Sequence, residues 1–300
     1  MTQTEQAKLQ DYLAEQQQAI ERVLNEWLPA ASVEPHSIHQ AMRYSVFAGG
    51  KRIRPLLCIA AARAVSDWSD GIENAAATLE MIHTYSLIHD DLPAMDNDDL
   101  RRGRPTCHKE FGDAIAILAG DALCTLAFEV LSRLPGVSAE RRMKLVEELA
   151  RASGTVGGMI AGQVHDIEGE RQSPTASLLA KIHHAKTGAL LKASVRMGGI
   201  YTGASPKEFT ALTEYGERVG LAFQIVDDIL DVEQTSEQLG KTAGKDEAQQ
   251  KITFPAVYGL ERSREMAEEQ RHNAHRVLRI FDDRADRLRQ LADLIVQRQM

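Results

Sequence analysis

Apolar residues recur every three to four positions along most of the chain, the spacing that gives an α-helix one apolar face. No segment alternates convincingly with the two-residue period of a β-strand. Near the N-terminus, Leu9, Leu13, Ile20 and Leu24 form one stripe on a polar helix that Pro29 terminates. Further helices are predicted at 36–49, 55–66, 73–91, 111–132, 139–165, 176–199, 206–231, 247–261 and 263–298.

The segments between these helices contain residues that break helices, such as Gly49-Gly50, Pro135-Gly136 and Ser205-Pro206. No internal repeat, linker or low-complexity tract interrupts the pattern. Aromatic residues make up only 5% of the chain, so the core is expected to be aliphatic and rich in alanine. We therefore predict an all-α fold, a single domain over residues 1–300 built as a bundle of long helices.

The balance of charge restricts the partners of the protein. Lys and Arg number 35 against 43 Asp and Glu, which gives a net charge of −8. The overall field of such a protein does not attract nucleic acid or an anionic membrane surface. A phosphorylated substrate would need local basic clusters or metal ions to reverse that field at its site.

The chain has three cysteines, Cys58, Cys107 and Cys124. An odd number without CxxC spacing is typical of reduced thiols in a cytoplasmic protein, which is the location we expect. The N-terminus lacks the pattern of a signal peptide. The longest apolar stretch, 114–131, contains Asp121 and Glu129, so we predict no transmembrane span.

Two of the predicted helices are apolar on most sides, and each ends in a cluster of aspartates. Helices of this kind lie in the middle of a bundle. The first, at 73–91, runs into the sequence His-Asp-Asp-Leu-Pro-Ala-Met-Asp-Asn-Asp-Asp at 89–99. The second runs into Asp-Asp-Ile-Leu-Asp at 227–231. Acidic runs are often solvated or helix-capping residues, and for Asp98 and Asp99 that alternative stays open.

The spacing of the aspartates indicates a metal site. Asp227 and Asp231 project from one helix face, where two like charges repel unless a cation lies between them. Asp90 and Asp96 do not share a face, but Pro93 should end the helix and let Asp96 turn back toward Asp90. Carboxylates without His or Cys partners suit a hard cation, Mg²⁺, held jointly with substrate phosphates.

Short basic groups that could bind phosphate oxygens accompany these clusters. They are Gly50-Lys51-Arg52-Ile53-Arg54, Arg101-Arg102-Gly103-Arg104, Lys186-Thr187-Gly188 and the segment from Lys241 to Lys245. Gly240-Lys241-Thr242 is not a nucleotide-binding P-loop, because Thr235 stands where the upstream glycine is required. From spacing alone, His83 is either a core histidine or a phosphate donor.

These motifs resemble those of the trans-prenyl diphosphate synthases. The segment from Asp90 to Asp96, followed by 101–103, is similar to the family's first aspartate-rich motif, and 227–231 is similar to the second. The motifs at 50–55 and 186–188 and the pair Phe223-Gln224 match in the same order. The resemblance covers essentially the whole chain. Four residues between Asp91 and Asp96 resemble the bacterial type of farnesyl diphosphate synthase.

The resemblance implies a role for each matching residue. Gly50, Lys51, Arg54, His83 and Arg102 would bind the diphosphate of isopentenyl diphosphate. The metal ligands would be Asp90, Asp91, Asp96, Asp227 and Asp231, holding three Mg²⁺ ions for which Mn²⁺ could substitute. The allylic diphosphate would be bound by Arg101, Lys186, Lys241 and Lys245. Thr187 and Gln224 would present oxygens to the allylic cation.

The resemblance also implies a deep central cavity, a homodimer and a means of setting product length. Tyr85 lies five residues before Asp90, and an aromatic residue there forms the floor of the cavity in short-chain members, with small Ser86 beside it. The expected product is therefore farnesyl diphosphate. The alternatives are a geranyl or geranylgeranyl diphosphate synthase, a terpene cyclase, or a noncatalytic partner subunit. A cyclase would not need the second diphosphate site formed by Lys51, Arg54 and Arg102, and both aspartate motifs argue against a noncatalytic subunit.

Overall fold

The structure is a computed structural model that describes residues 3–169, 175–233 and 252–297. The chain divides into two compact units. The first comprises Met1–Leu56 and Asp70–Val146, and the second comprises Leu57–Ser69 and Glu147–Met300. The all-α prediction is confirmed, since helices account for nearly all of the regular structure among the described residues. The prediction of one domain over the whole length stays a prediction.

The first unit is built around one buried helix, α4. Its elements are α1 (Gln3–Trp27), α2 (His36–Val46), the start of α3 (Ile53–Val65), α4 (Ile72–Asp90), α5 (Cys107–Phe111), α6 (Asp113–Ser132) and the start of α7 (Ala139–Ser153). Small residues such as Ala75, Ala76 and Ala77 are fully buried, so α1, α2 and α6 can pack closely against α4. A two-residue antiparallel hairpin, β1 (Leu100–Arg101) and β2 (Arg104–Pro105), follows the end of α4.

The second unit is built around the longest of its described helices, α11. Its elements after α7 are α8 (Met159–Gly169), α9 (Ala176–His183), a π-helical turn (His184–Gly188), α10 (Ala189–Thr202), α11 (Pro206–Glu233), α12 (Phe254–Tyr258), α13 (Leu260–Val277) and α14 (Asp286–Val296). Helices α10, α13 and α14 pack against α11. Gly216 permits one of these contacts, because a Cβ there would lie 2.8 Å from the Cα of Lys192.

Several predicted helices are interrupted by glycine. The helix predicted at 139–165 ends at Ser153 and restarts at Met159, since Gly157 has φ +69° and a Cβ on Gly158 would lie 2.4 Å from a backbone oxygen. Gly112 (φ +81°) likewise delays the helix predicted at 111–132. Gly259 (φ +80°) interrupts the one predicted at 247–261, of which 247–251 lie outside the described residues.

Two other predicted helices change geometry along their length. The helix predicted at 176–199 contains the π-helical turn from His184 to Gly188, and the one predicted at 263–298 is interrupted after Val277 by short 3₁₀ turns. Such local changes of helix type depend on tertiary contacts that periodicity does not reveal.

Helix α6 meets the length and composition criteria for a membrane span, although core helices of soluble proteins meet the same criteria. It carries exposed apolar residues, Ile117 and Leu118, on one side, while Ala119, Gly120 and Leu123 are buried on the other. Its buried face packs on α4. The absence of a transmembrane span therefore stays a prediction.

Candidate active site

Helix α4 ends at Asp90, where the chain turns sharply. The Leu92 amide donates to the carbonyl of His89 (3.2 Å), and the Asp96 amide donates to the carbonyl of Asp90 (2.8 Å). The second bond carries Asp96 back to the end of the helix, as Pro93 predicts. Both aspartates are half-buried. The turn therefore places two carboxylates at the end of a core helix.

Asp91 lies in a different environment from its neighbour. It is only 2% exposed and accepts hydrogen bonds from Arg101: Nε lies 2.9 Å from both Oδ1 and Oδ2, and Nη2 lies 2.6 Å from Oδ1. Burial raises the pKa of Asp91, while the hydrogen bonds from Arg101 act in the opposite direction. Asp91 therefore holds the guanidinium of Arg101 beside the turn from Asp90 to Asp96, which we call the aspartate turn. Its assignment as a metal ligand stays a prediction.

The donor set at this turn fits Mg²⁺ chemically. Asp90 and Asp96 offer only oxygen ligands, which a hard cation prefers. Among the described residues, no group of three His, Cys, Asp or Glu side chains is close enough to form a metal site by itself. Mg²⁺ commonly takes only one or two protein carboxylates and completes its coordination with water and substrate phosphates. The arrangement suits an ion that arrives with a diphosphate.

Guanidinium groups surround His83 on α4. Burial lowers the pKa of His83 well below its usual value, and Arg54, Arg102, Arg101 and Arg52 lower it further. The imidazole is therefore neutral at neutral pH and can donate one N–H. Four positive charges near one histidine in an acidic protein make a local anion site. Of the residues that the resemblance assigned to the isopentenyl diphosphate, the structure brings Arg54, His83 and Arg102 together.

The loop before α3 positions part of this cluster. Arg52 is buried and pairs with Glu80 of α4 at 2.6 Å, so it anchors the loop between Lys51, which is exposed, and Arg54. Gly50 has φ +128°, and a Cβ there would lie 2.7 Å from the guanidinium nitrogens of Arg102. Arg102 itself donates to the carbonyl of Gly49. Glycine at 50 is thus needed to let Arg102 approach the loop.

In the second unit the π-helical turn carries Lys186 and Thr187. The Nζ of Lys186 lies 2.5 Å from a carboxylate oxygen of Asp166 on α8, and both residues are largely buried. Gly162 of α8 lies directly against the turn, because a Cβ there would be 2.0 Å from the backbone nitrogen of Lys186. Single-turn π-helices often occur at functional sites. Here the turn faces α8 and fixes Lys186 beside a carboxylate.

The second aspartate motif lies near the end of α11. Asp227 is half-buried, whereas Asp228 and Asp231 are only 4% and 5% exposed. Asp228 is bound on both oxygens: Oδ1 accepts from Gln224 Nε2 (3.0 Å) and Oδ2 accepts from the amide of Phe254 (2.9 Å). Lys241 and Lys245, assigned by resemblance to the allylic diphosphate, lie outside the described residues.

A buried histidine completes this arrangement. The Nε2 of His183 lies 3.3 Å from Oδ2 of Asp228, and its ring stacks on Phe254 at 5.2 Å between centroids. Phe254 in turn stacks on Tyr258. His183 precedes the π-helical turn, so the network joins that turn, α11 and α12.

The proposed chain-length residues lie one turn before the aspartate turn on α4. Tyr85 is 8% exposed, and its ring meets that of His89 edge-on at 5.6 Å. Burial and the nearby Cys124 and Asp90 raise the pKa of Tyr85, so the phenol stays protonated. Ser86 is half-buried and donates to the carbonyl of His83 (2.9 Å).

Several of these contacts have no signal in the sequence. Nothing in the spacing of Asp166 pairs it with Lys186, and His183 carries no motif. His89 contacts α6 closely, because a Cβ on Gly120 would lie 2.3 Å from its ring nitrogen. Such pairs arise from tertiary packing between distant segments, which periodicity and motif spacing do not encode.

Comparison with known proteins places these features in a family. The family model for polyprenyl synthetases matches residues 35–295. A chloroplastic geranylgeranyl pyrophosphate synthase of Capsicum annuum is 48% identical over 96% of this chain and 78% of its own length. A dimethylallyltranstransferase of Fischerella ambigua is 45% identical over 97% of this chain and 84% of its own length.

Solved structures agree in fold. An FPP/GFPP synthase from Zymomonas mobilis has a TM-score of 0.86 at 37% identity and covers 97% of this chain and 99% of its own. A geranylgeranyl pyrophosphate synthetase from Pyrococcus horikoshii has a TM-score of 0.90 at 30% identity and covers 98% and 100%.

An all-α fold with two aspartate motifs and a cluster of arginines around a neutral histidine defines the class as a prenyltransferase. The chain belongs to the polyprenyl synthetase family, and its activity is that of a trans-prenyl diphosphate synthase.

Proposed function

We propose that the enzyme condenses isopentenyl diphosphate head-to-tail with dimethylallyl diphosphate and then with geranyl diphosphate, giving (E,E)-farnesyl diphosphate. The observation that carries this proposal is the gathering of Arg54, Arg101 and Arg102 around neutral His83 near the end of α4. Charge-assisted hydrogen bonds from guanidinium groups are strong and match the geometry of phosphate oxygens. This cluster would bind the diphosphate of the isopentenyl substrate.

Residues of the second unit would act on the allylic substrate. Ionisation breaks the bond between C1 and the diphosphate oxygen, so negative charge grows on the leaving group and a carbocation forms. Lys186 would bind the leaving diphosphate, exchanging its contact with Asp166 for one with phosphate. Thr187 and Gln224 would present oxygens to the cation. The isopentenyl double bond then attacks C1, and the proton lost from the new cation would pass to the released diphosphate.

Mg²⁺, or Mn²⁺ in its place, would be held by Asp90 and Asp96 in the first unit and by Asp227 and Asp231 in the second. When bound, it would neutralise charge on the leaving diphosphate. The turn in which the Asp96 amide bonds the Asp90 carbonyl supports the first of these assignments.

The experiment that tests the function is incubation of the purified protein with labelled isopentenyl diphosphate, Mg²⁺ and each allylic primer. Dephosphorylated products are then sized by chromatography. A C15 alcohol is expected from both C5 and C10 primers. Cyclic hydrocarbons formed without isopentenyl diphosphate would indicate a cyclase, and no product at all would indicate a noncatalytic subunit.

Substitutions in the two diphosphate sites are expected to change the kinetic constants of different substrates. Arg102→Ala should mainly raise KM for isopentenyl diphosphate, and Lys186→Ala should mainly affect the allylic substrate. Losing one charged hydrogen bond costs about 1.5–3 kcal/mol, which corresponds to roughly 10- to 150-fold. Arg133→Ala, which removes an exposed arginine paired with Glu129, is the matched control. Equal effects of Arg102→Ala and Lys186→Ala on both substrates would contradict the assignment.

Product length distinguishes farnesyl diphosphate from its nearest alternative. Several relatives carry the name geranylgeranyl pyrophosphate synthase, so a C20 product is the alternative. The buried ring of Tyr85 supports the shorter product, because a bulky side chain five residues before Asp90 would limit a tail that runs back along α4. The corresponding variants are argued in the Discussion.

We also propose that two chains form a homodimer through α6. Its exposed Ile117 and Leu118 (43% and 50%) support this, since large apolar side chains grouped on one face are typical of interfaces. Leu118→Lys should lower the mass measured by sedimentation from two chains to one, whereas Leu100→Lys, also an exposed leucine, should not. A single-chain mass for the unaltered protein at micromolar concentration would contradict the proposal.

A further inference from the structure

The carboxylate of Asp228, in the second aspartate motif, has no site assignment of its own, and both of its oxygens accept hydrogen bonds within the protein. It is 4% exposed, so water cannot satisfy its oxygens. Each oxygen has a distinct donor: the Gln224 side-chain amide on Oδ1 and the Phe254 backbone amide on Oδ2. A backbone N–H can only donate, so the second contact fixes the orientation of the carboxylate.

The first contact then fixes the orientation of Gln224. A glutamine amide can present either its NH₂ group or its oxygen to a neighbour, and the two arrangements have nearly the same shape. A carboxylate only accepts hydrogen bonds, so Asp228 selects the arrangement in which NH₂ faces it, at 3.0 Å. The amide oxygen of Gln224 is consequently left on the side away from Asp228.

We propose that Asp228 is a positioning residue whose function is to orient the Gln224 amide so that its oxygen, and not its NH₂ group, faces the allylic cation. This rests on the proposed function, which assigns Gln224 to that cation. An oxygen dipole stabilises positive charge, whereas an NH₂ group in the same place repels it. The buried ring of His183 stacks on Phe254, whose amide donates to Asp228, and its Nε2 lies 3.3 Å from Asp228 Oδ2.

Asp228→Asn should invert the amide. The oxygen of the new asparagine must accept from the Phe254 amide, so its NH₂ group faces Gln224. Gln224 then turns its own oxygen toward Asn and presents NH₂ to the cation. We expect kcat to fall about 10²-fold, comparable to the loss of one preorganised dipole, with KM for both substrates changed less than about threefold. Gln224→Ala should reduce kcat to a similar degree.

The decisive variant restores the oxygen without restoring Asp228. In Gln224→Glu with Asp228→Asn, one carboxylate oxygen of Glu accepts from the asparagine NH₂ group and the other faces the cation, while the pair keeps its net charge. This double variant should recover at least about tenfold in kcat over Asp228→Asn alone. Both variants carry the same Asp228→Asn substitution, so any loss of stability that it causes is the same in the two enzymes that are compared. Gln224→Glu alone opposes two carboxylates and should be slower than the double variant.

A double-mutant cycle of Asp228 and Gln224 provides a second test. If Asp228 acts through Gln224, Asp228→Asn should change kcat less than about threefold in a Gln224→Ala background. Glu217→Gln, an exposed carboxylate elsewhere on α11, is the control and should leave kcat unchanged. Independent, multiplying effects, or a double variant no faster than Asp228→Asn, would overturn the positioning role. The proposed function fails separately, if the unaltered enzyme gives no prenyl product.

Discussion

Asp90→Ala is expected to lower kcat by about 10²–10³-fold, the loss seen when a principal group that stabilises transition-state charge is removed. Asp90 ends α4, and its backbone carbonyl accepts from the Asp96 amide at 2.8 Å, so the backbones of the two aspartates are held close together. The physical reason for the loss is that Mg²⁺ would no longer be retained against the leaving diphosphate. Steady-state assays with labelled isopentenyl diphosphate measure it directly.

The same loss is expected for Asp227→Ala on α11. If both carboxylates serve one leaving group, the double variant should be less impaired than the product of the two single effects, as for catalytic residues that act as a unit. Asp99→Ala is the matched control, because Asp99 is exposed and its ion pair with Lys109, at 2.8 Å, lies at the surface. Chelation by EDTA should abolish turnover, and full activity in EDTA would refute the metal assignment.

Some of this site could be predicted because motif chemistry is local. Pro93 alone indicates that α4 ends near Asp90 and that Asp96 returns to it, and the hydrogen bond between their backbones confirms this. The all-α fold is likewise encoded in apolar spacing over the whole chain. Local signals of this kind depend on a few neighbouring residues, so they can be recognised without knowledge of the tertiary contacts.

Other features could not be predicted because they depend on residues distant in sequence. The buried pair between Arg52 and Glu80 joins the loop before α3 to α4, and the network of His183, Asp228 and Phe254 joins three segments. The break between α7 and α8 could be predicted only in part. Gly157 is present in the sequence, but only its φ of +69° shows that the chain turns there.

Tyr85→Ala is expected to change the main product from C15 to C20 or longer. Tyr85 lies five residues before Asp90, about 7.5 Å along the axis at about 1.5 Å per residue. A tail whose diphosphate is bound at the end of α4 would run back along the helix toward this ring. The ring is 8% exposed and packs edge-on against His89, so it is held in place as a floor. Its removal opens space for another isoprene unit.

Ser86→Phe should have the opposite effect and favour C10, because a ring in place of the half-buried hydroxymethyl group raises the floor. Thr84→Ala is the matched control: Thr84 is 4% exposed and precedes Tyr85, but projects from another face of α4. If loosening of α4 alone lengthened the product, Thr84→Ala would lengthen it too. Chromatography of the dephosphorylated alcohols distinguishes the outcomes, with thermal unfolding as the check on folding. A folded Tyr85→Ala enzyme that still stops at C15 would place the floor elsewhere, and the physical basis for a farnesyl product would be lost.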